Sequence, residues 1–450
     1  MRFPSGFLFG AATAAYQIEG AVDEDGRRPS IWDTFATVPG AVTHGDTGAI
    51  ACDHYHRLDT DLDLAAELGL SAYRFSVAWP RVIPDGYGTV NQKGLDFYRR
   101  LIDGLHARNI QPAATLYHWD LPQPLQDAGG WANRDTVGHF CDYAEVVLES
   151  LGDAVPLWGT VNEPFCAGMI GYLQGRHAPG IADLRSALRA SHHLLLAHGH
   201  AVGIVRRRAP DARVGISHLL SDITPASQSP ADRAAAARLD GYENRWFLDP
   251  VLRGEYPPDM LDWYARQVPV DFIRDGDLAV VAAPADFLGV NYYETKTVVH
   301  DPGEPYHQAR ELPAAGRRTA GGLDVRPAAL GRILRRVSAA TTLPLYITEN
   351  GAAFHDYVDP EGGVDDTERV SYLADHFDET LAAIGAGADV RGFFVWSLLD
   401  NFEWADGYSR RFGLVYVDFG TQSRIPKASA RWYQRLIARN QDVQGPPPAS

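Results

Sequence analysis

Short apolar runs recur along the chain, and longer stretches with a helical repeat separate them. The run "SAYRFSVAWP" (residues 71–80) reads as a strand. In "GLDFYRRLIDGLHARN" (94–109), Leu95, Tyr98, Leu101, Ile102 and Leu105 share one face, the spacing of an amphipathic helix. The same alternation predicts a strand over 111–122, a helix over 136–152, a strand in "LWGTVNEP" (157–164), a helix over 187–208 and a strand over 213–220. After a long segment come a strand over 285–294, a helix near 328–340, a strand over 343–351, a helix near 368–386, a strand over 390–404 and a helix over 429–440. A strand in "FLFGAATAAYQIEG" brings the number to eight.

These strands are apolar throughout rather than alternating, as expected of a sheet covered on both faces. Eight such units predict an α/β fold: a single (β/α)8 TIM barrel with long βα loops over residues 1–443, and a disordered tail over 444–450. The alternative is a doubly wound open sheet. It lacks its Gly-rich phosphate loop, because Gly385 and Gly387 have no third glycine and precede a strand rather than follow one.

A barrel places its chemistry at the C-terminal ends of its strands. Gln17 and Glu19 fall there after the first strand, and Arg74 lies on the second. His118, Trp119 and Asp120 end the third, and Asn162 and Glu163 the fourth. Asn291, Tyr292 and Tyr293 end the sixth, Glu349 and Asn350 the seventh, and Trp396, Glu403 and Trp404 the eighth. Pro164 should hold Glu163 extended, and Gly351 should permit the sharp turn that leaves Glu349 at its strand tip. Paired carboxylates among amides, an imidazole and flat aromatics are the equipment of glycoside hydrolysis, in which one carboxyl donates a proton and the other stays ionised. A guanidinium at Arg74 would favour the charged form of whichever carboxylate it touches. Taken singly, Arg74 reads as a structural ion pair and His118 as a structural histidine; convergence on one mouth is what gives them a role. The cluster His192, His193, His198 and His200 is not read as a metal site, because its helix packs outside the barrel and no carboxylate shares that face.

The chain has 450 residues and a formal net charge of −16, which disfavours nucleic acid and anionic membranes as partners. No run approaches the roughly 18 apolar residues of a membrane span. Three scattered cysteines, Cys52, Cys141 and Cys166, fit a reducing, cytoplasmic setting. No metal or other cofactor is expected, since His118 alone stands at the strand ends as a metal-ligating imidazole.

These residues sit in long, ordered motifs: "FLFGAATAAYQIEGA", "YRFSVAWPRVIP", "TLYHWDLPQPL", "TVNEP", "GRHAPG", "RWFLDPVLRGEYP", "FLGVNYY", "YITENGAAF" and "GFFVWSLLDNFEWADGYSRRFGLVYVD". The chain resembles the glycoside hydrolase family 1 β-glucosidases along nearly its whole length. The resemblance implies a retaining, exo-acting enzyme with Glu349 as nucleophile and Glu163 as general acid/base, the two carboxyls about 5–5.5 Å apart. It implies that Arg74 and Tyr293 hold the nucleophile and that Asn162 holds the sugar 2-hydroxyl. Gln17, His118, Trp119, Glu403 and Trp404 match the hydroxyl-binding ring, with Asn291 beside them, and Trp396 matches the aromatic floor. His177 of "GRHAPG" falls at the aglycone entrance. Glu403 would repel a 6-phosphate, and the presence of Glu163 points to O-glycosides.

One stretch departs from the family pattern. "TAGGLDVRP" (319–327) has Leu323 where the family carries a platform Trp, and Gly321 for its Met, so the entrance should lose a flat surface and rigidity. The implied substrates are small β-glucosides and short oligosaccharides, including those of cellulose breakdown, with fucosyl and galactosyl residues as further glycones. Transglycosylation is the side activity, a non-catalytic sugar-binding barrel is the alternative, and the protein acts as a monomer or homo-oligomer.

Overall fold

The computed structural model describes residues 1–441. Its centre is a closed barrel of eight parallel strands: β1 (Leu8–Ala12), β2 (Ala72–Ser76), β3 (Gln111–Tyr117), β4 (Leu157–Asn162), β5 (Arg213–Leu219), β6 (Phe287–Tyr292), β7 (Leu345–Asn350) and β8 (Val390–Trp396). Each strand pairs with its neighbours in sequence, and β1 closes on β8 with Leu8 opposite Gly392 and Ala12 opposite Trp396. Closure rules out the open sheet. Strands β2 and β7 are buried at every position, which is why they carry no polar alternation.

The helices lie outside and run back between strands. His54–Glu67, Gln92–Ala107, Asp135–Leu151 and Leu184–Arg208 follow the first four strands, and Pro327–Ala340, Thr367–Gly385 and Ala428–Gln441 follow the last three. Strands are shorter than their apolar runs. The run 71–80 ends as a strand at Ser76 and turns into the helix Trp79–Val82, with Pro80 in its first turn. The run 390–404 ends as a strand at Trp396, and its remainder is a loop. The long segment after β5 holds the helices Pro230–Asp240, Trp246–Arg253, Pro258–Ala265 and Asp277–Val281. Beyond the barrel mouth, Asp222–Pro225, Thr295–His300 and Ala309–Glu311 form a three-stranded sheet. The tail expected to be disordered lies outside the described residues. No described helix is long and apolar enough to cross a membrane.

Candidate active site

Glu163 follows the last residue of β4 and is not extended. Its φ is 45°, in the left-handed region. Pro164 bars the right-handed helical region to its predecessor, and the chain takes the other compact conformation available. Two backbone bonds hold it there: Glu163 N–H donates to the Ser217 carbonyl at 2.8 Å, and its own carbonyl accepts from Cys166 N–H at 2.9 Å. Trp119 (φ 77°) and Trp404 (φ 51°) also occupy this region, so three cavity residues carry a backbone that side chains disfavour.

Glu349 lies on β7, where the pairing with β6 shifts register between Ile347 and Glu349. Gly351 serves a different purpose from the one expected: a Cβ there would lie 1.8 Å from the Trp396 carbonyl oxygen, so close approach of β8, rather than a turn, requires glycine.

The two carboxylates line one cavity of about 410 Å³. Both are nearly inaccessible, Glu163 at 4% and Glu349 at 3% exposure. Arg74 touches Glu349: its Nη1 donates to Oε1 at 2.5 Å, while Nη2 donates to Asn162 Oδ1 at 2.7 Å. Tyr293 donates its hydroxyl to the other Glu349 oxygen at 2.7 Å. Among the described residues no cation pairs with Glu163. Asn291 Nδ2 donates to its Oε1 at 2.7 Å, and Thr348 fixes the orientation of that amide by donating to Asn291 Oδ1 at 2.5 Å. Burial, reinforced by the Glu349 charge, pushes the Glu163 carboxyl up to about 8, against the opposing pull of Asn291 and the Cys166 thiol.

The cavity wall gathers ten of the expected residues: His118, Trp119, Glu163, His177, Tyr293, Leu323, Glu349, Trp396, Glu403 and Trp404. Arg74, Asn162, Asn291 and Gln17 stand behind that wall. Asn162 donates to His118 Nε2 at 3.1 Å, so the His118 proton sits on Nδ1, which has no partner among the described residues. Burial holds this imidazole neutral. Trp119 commits its indole N–H to the Asn162 carbonyl at 2.9 Å and offers the cavity its ring. Gln17 donates to Asn401 Oδ1 (3.0 Å) and to the Phe402 carbonyl (2.9 Å), which leaves its Oε1 unpartnered among the described residues. Burial and the Asp406 charge push Glu403 up to about 8.

At the entrance, burial lowers His177 to about 3, and its ring packs on Trp119 with centroids 5.4 Å apart. Leu323 lines the mouth, but its loop is not loose. Thr319 N–H donates to the Leu323 carbonyl (3.0 Å), Leu323 N–H to Thr319 Oγ1 (3.2 Å), Ala320 N–H to the Ala353 carbonyl (2.8 Å) and Arg410 Nη1 to the Ala320 carbonyl (2.9 Å). Two backbone bonds, the Thr319 hydroxyl and the Arg410 guanidinium thus anchor this loop, contrary to the expected loss of rigidity, and Leu323 puts no flat ring at the mouth.

Sequence reasoning did not single out Thr348, Asn401 or Arg410, and it read Cys166 only as a free cysteine. The first two sit inside the motifs "YITEN" and "LLDNFEW", where neighbouring carboxylates draw attention away from them. The histidine cluster needs one correction: Asp277 reaches His192 Nε2 at 2.8 Å from another helix. His192 also meets the Tyr256 hydroxyl (3.0 Å), His193 the Trp131 carbonyl (2.8 Å) and His198 the Thr160 hydroxyl of β4 (2.7 Å), so these rings tie their helix to neighbouring segments and to the barrel.

The sequence profile described as glycosyl hydrolase family 1 matches residues 1–442. The chain belongs to glycosyl hydrolase family 1. β-Glucosidase A of Acetivibrio thermocellus is 46% identical over 444 residues, covering 98% of this chain and 99% of that protein. A bifunctional β-D-glucosidase/β-D-fucosidase of Bifidobacterium breve is 46% identical over 461 residues, with 97% and 98% covered. The solved family 1 β-glucosidase from Thermotoga maritima superposes with a TM-score of 0.95 at 45% identity, covering 98% and 99% of the two chains. The family 1 barrel thus extends over nearly the whole chain.

Proposed function

We propose that this family 1 enzyme is a retaining β-glucosidase that releases terminal non-reducing β-D-glucosyl residues through a covalent glycosyl-enzyme. The observation that carries the roles is the asymmetry of the two carboxylates. Glu349 receives two donors, one of them a guanidinium, and suits an ionised nucleophile. Glu163 receives an amide but, among the described residues, no paired cation, and burial favours its protonated form, as a general acid needs. In the first step a Glu349 oxygen bonds the anomeric carbon, the C–O bond to the aglycone breaks, and the Glu163 proton passes to the departing oxygen. In the second, water gives a proton to Glu163 and its oxygen displaces Glu349. A sugar hydroxyl in place of water gives transglycosylation.

Asn162 holds the 2-hydroxyl in this reading, the Trp396 ring floors the sugar, and Gln17, His118 and Glu403 take the remaining hydroxyls. Glu403 faces the C6 end, which offers a carboxyl rather than a cation and so suits a neutral hydroxymethyl group over a phosphate. The likeness to a glucosidase/fucosidase extends the proposal to fucosides. The three cysteines stand free, which supports action in the reducing cytoplasm on glucosides and short cello-oligosaccharides.

The deciding experiment is Glu349→Gly, assayed on an activated aryl β-glucoside with and without azide. The expected outcome is loss of turnover without azide and an α-glucosyl azide product with it. Turnover close to wild type would remove Glu349 as nucleophile.

A further inference from the structure

Behind the cavity lies a cluster of six ionisable side chains that the proposed reaction does not use. Lys427, at the foot of the helix Ala428–Gln441, is 0% exposed. Its Nζ donates to Asp356 Oδ2 at 2.5 Å and to Asp400 Oδ1 at 2.7 Å. Asp400 also accepts from Arg411 Nη1 at 2.7 Å and from Gly413 N–H at 2.9 Å. Arg369 bridges Asp356, at 2.8 Å, and Asp366. Asp366 in turn accepts from Ser429 N–H at 2.7 Å. Three carboxylates thus meet three cations. Buried ion pairs of this kind add little net stability over packed apolar groups, while removing one member strands its partners. A positional role accounts for such an arrangement better than a stabilising one.

The positions give that role. Asp356 lies on the loop that leaves β7, the strand of Glu349. Asp400 stands three residues before Glu403, on the loop that also carries Trp404. Its neighbour Asn401 ties that loop to Gln17 at 3.0 Å and to Ser397 Oγ at 3.0 Å. We propose that Lys427 is a positioning residue of the sugar site: by clamping Asp356 to Asp400 it sets the Glu403–Trp404 wall against the strand of Glu349. The proposal rests on the reading that Glu403 faces the C6 end of a bound glucosyl group.

The test compares p-nitrophenyl β-glucoside with the β-xyloside, which lacks the hydroxymethyl group. In Lys427→Met, KM for the glucoside should rise about tenfold or more and KM for the xyloside less than about threefold, with kcat for each within about threefold of wild type. Thermal unfolding of the same sample reports folding separately. Equal losses on both sugars in folded protein, or no change on either, would overturn the proposal. If Lys427→Met does not fold, Asp356→Asn decides: it leaves Lys427 paired with Asp400 and should raise the glucoside KM selectively by about threefold, and an unselective effect or none overturns the idea. A wild-type enzyme inactive on both sugars would instead sink the β-glucosidase reading.

Discussion

Asn291→Ala probes the asymmetry between the carboxylates from its least obvious side. Asn291 donates to Glu163 at 2.7 Å, and that bond favours the ionised form of Glu163, opposing the burial that pushes the group up to about 8. Removing the donor leaves only the Cys166 thiol and the Arg74 charge to oppose that push, so the carboxyl holds its proton to still higher pH. A hydrogen bond to a charged group contributes about 1.5–3 kcal/mol, and one pH unit corresponds to about 1.4 kcal/mol, so the shift should be about one to two units. The assay is kcat/KM against pH on an alkyl β-glucoside, whose poor leaving group makes proton donation limiting. The alkaline limb should move upward from near pH 8. The second step, which needs ionised Glu163, should slow at neutral pH, so kcat on an activated aryl glucoside should fall. An alkaline limb that stays in place, or moves down, would refute Asn291 as the group that sets the Glu163 proton.

Three further outcomes follow from single contacts. Tyr293→Phe removes the 2.7 Å bond to Glu349 but keeps the ring edge-on to Phe412, so kcat/KM should fall by about 10- to 150-fold with the unfolding temperature nearly unchanged. Leu323→Trp should restore a stacking surface on an already anchored loop and lower KM for cellobiose by about three- to tenfold in steady-state assays; an unchanged KM removes Leu323 as a determinant. Gly351→Ala drives a methyl into the Trp396 carbonyl and should cost about 3 kcal/mol or more in urea unfolding, with activity lost because β7 and β8 must separate.

The barrel was legible because each strand is a short apolar run between helical repeats, and a parallel barrel places the residues at those run ends around one mouth. Glu163, Glu349 and the aromatic wall follow directly from that. What stayed hidden depends on contacts between distant segments. The left-handed backbone of Glu163 is held by Ser217 on the next strand, and only the register of β4 against β5 reveals it. The need for Gly351 lies in a carbonyl forty-five residues away in sequence, which local turn chemistry does not report. The four helices after β5 are short and separated by Gly and Pro, so no long periodic window announces them. Asp277 escaped notice beside His192 because the two meet across helices rather than along one.

The barrel seam joins β1 to β8, and Phe3 N–H meets Asn440 at 2.9 Å. In the order of synthesis, a nascent chain extended to residue 389 already holds Arg74, Asn162, Glu163, Asn291, Tyr293 and Glu349. It lacks the strand that β1 closes on, the Glu403 wall and the lysine that clamps it. Residues 390–441 therefore bring the closing strand, the Glu403 wall and its clamp in one stretch, and a chain that stops short of them carries the paired carboxylates in a barrel with no eighth strand to close on.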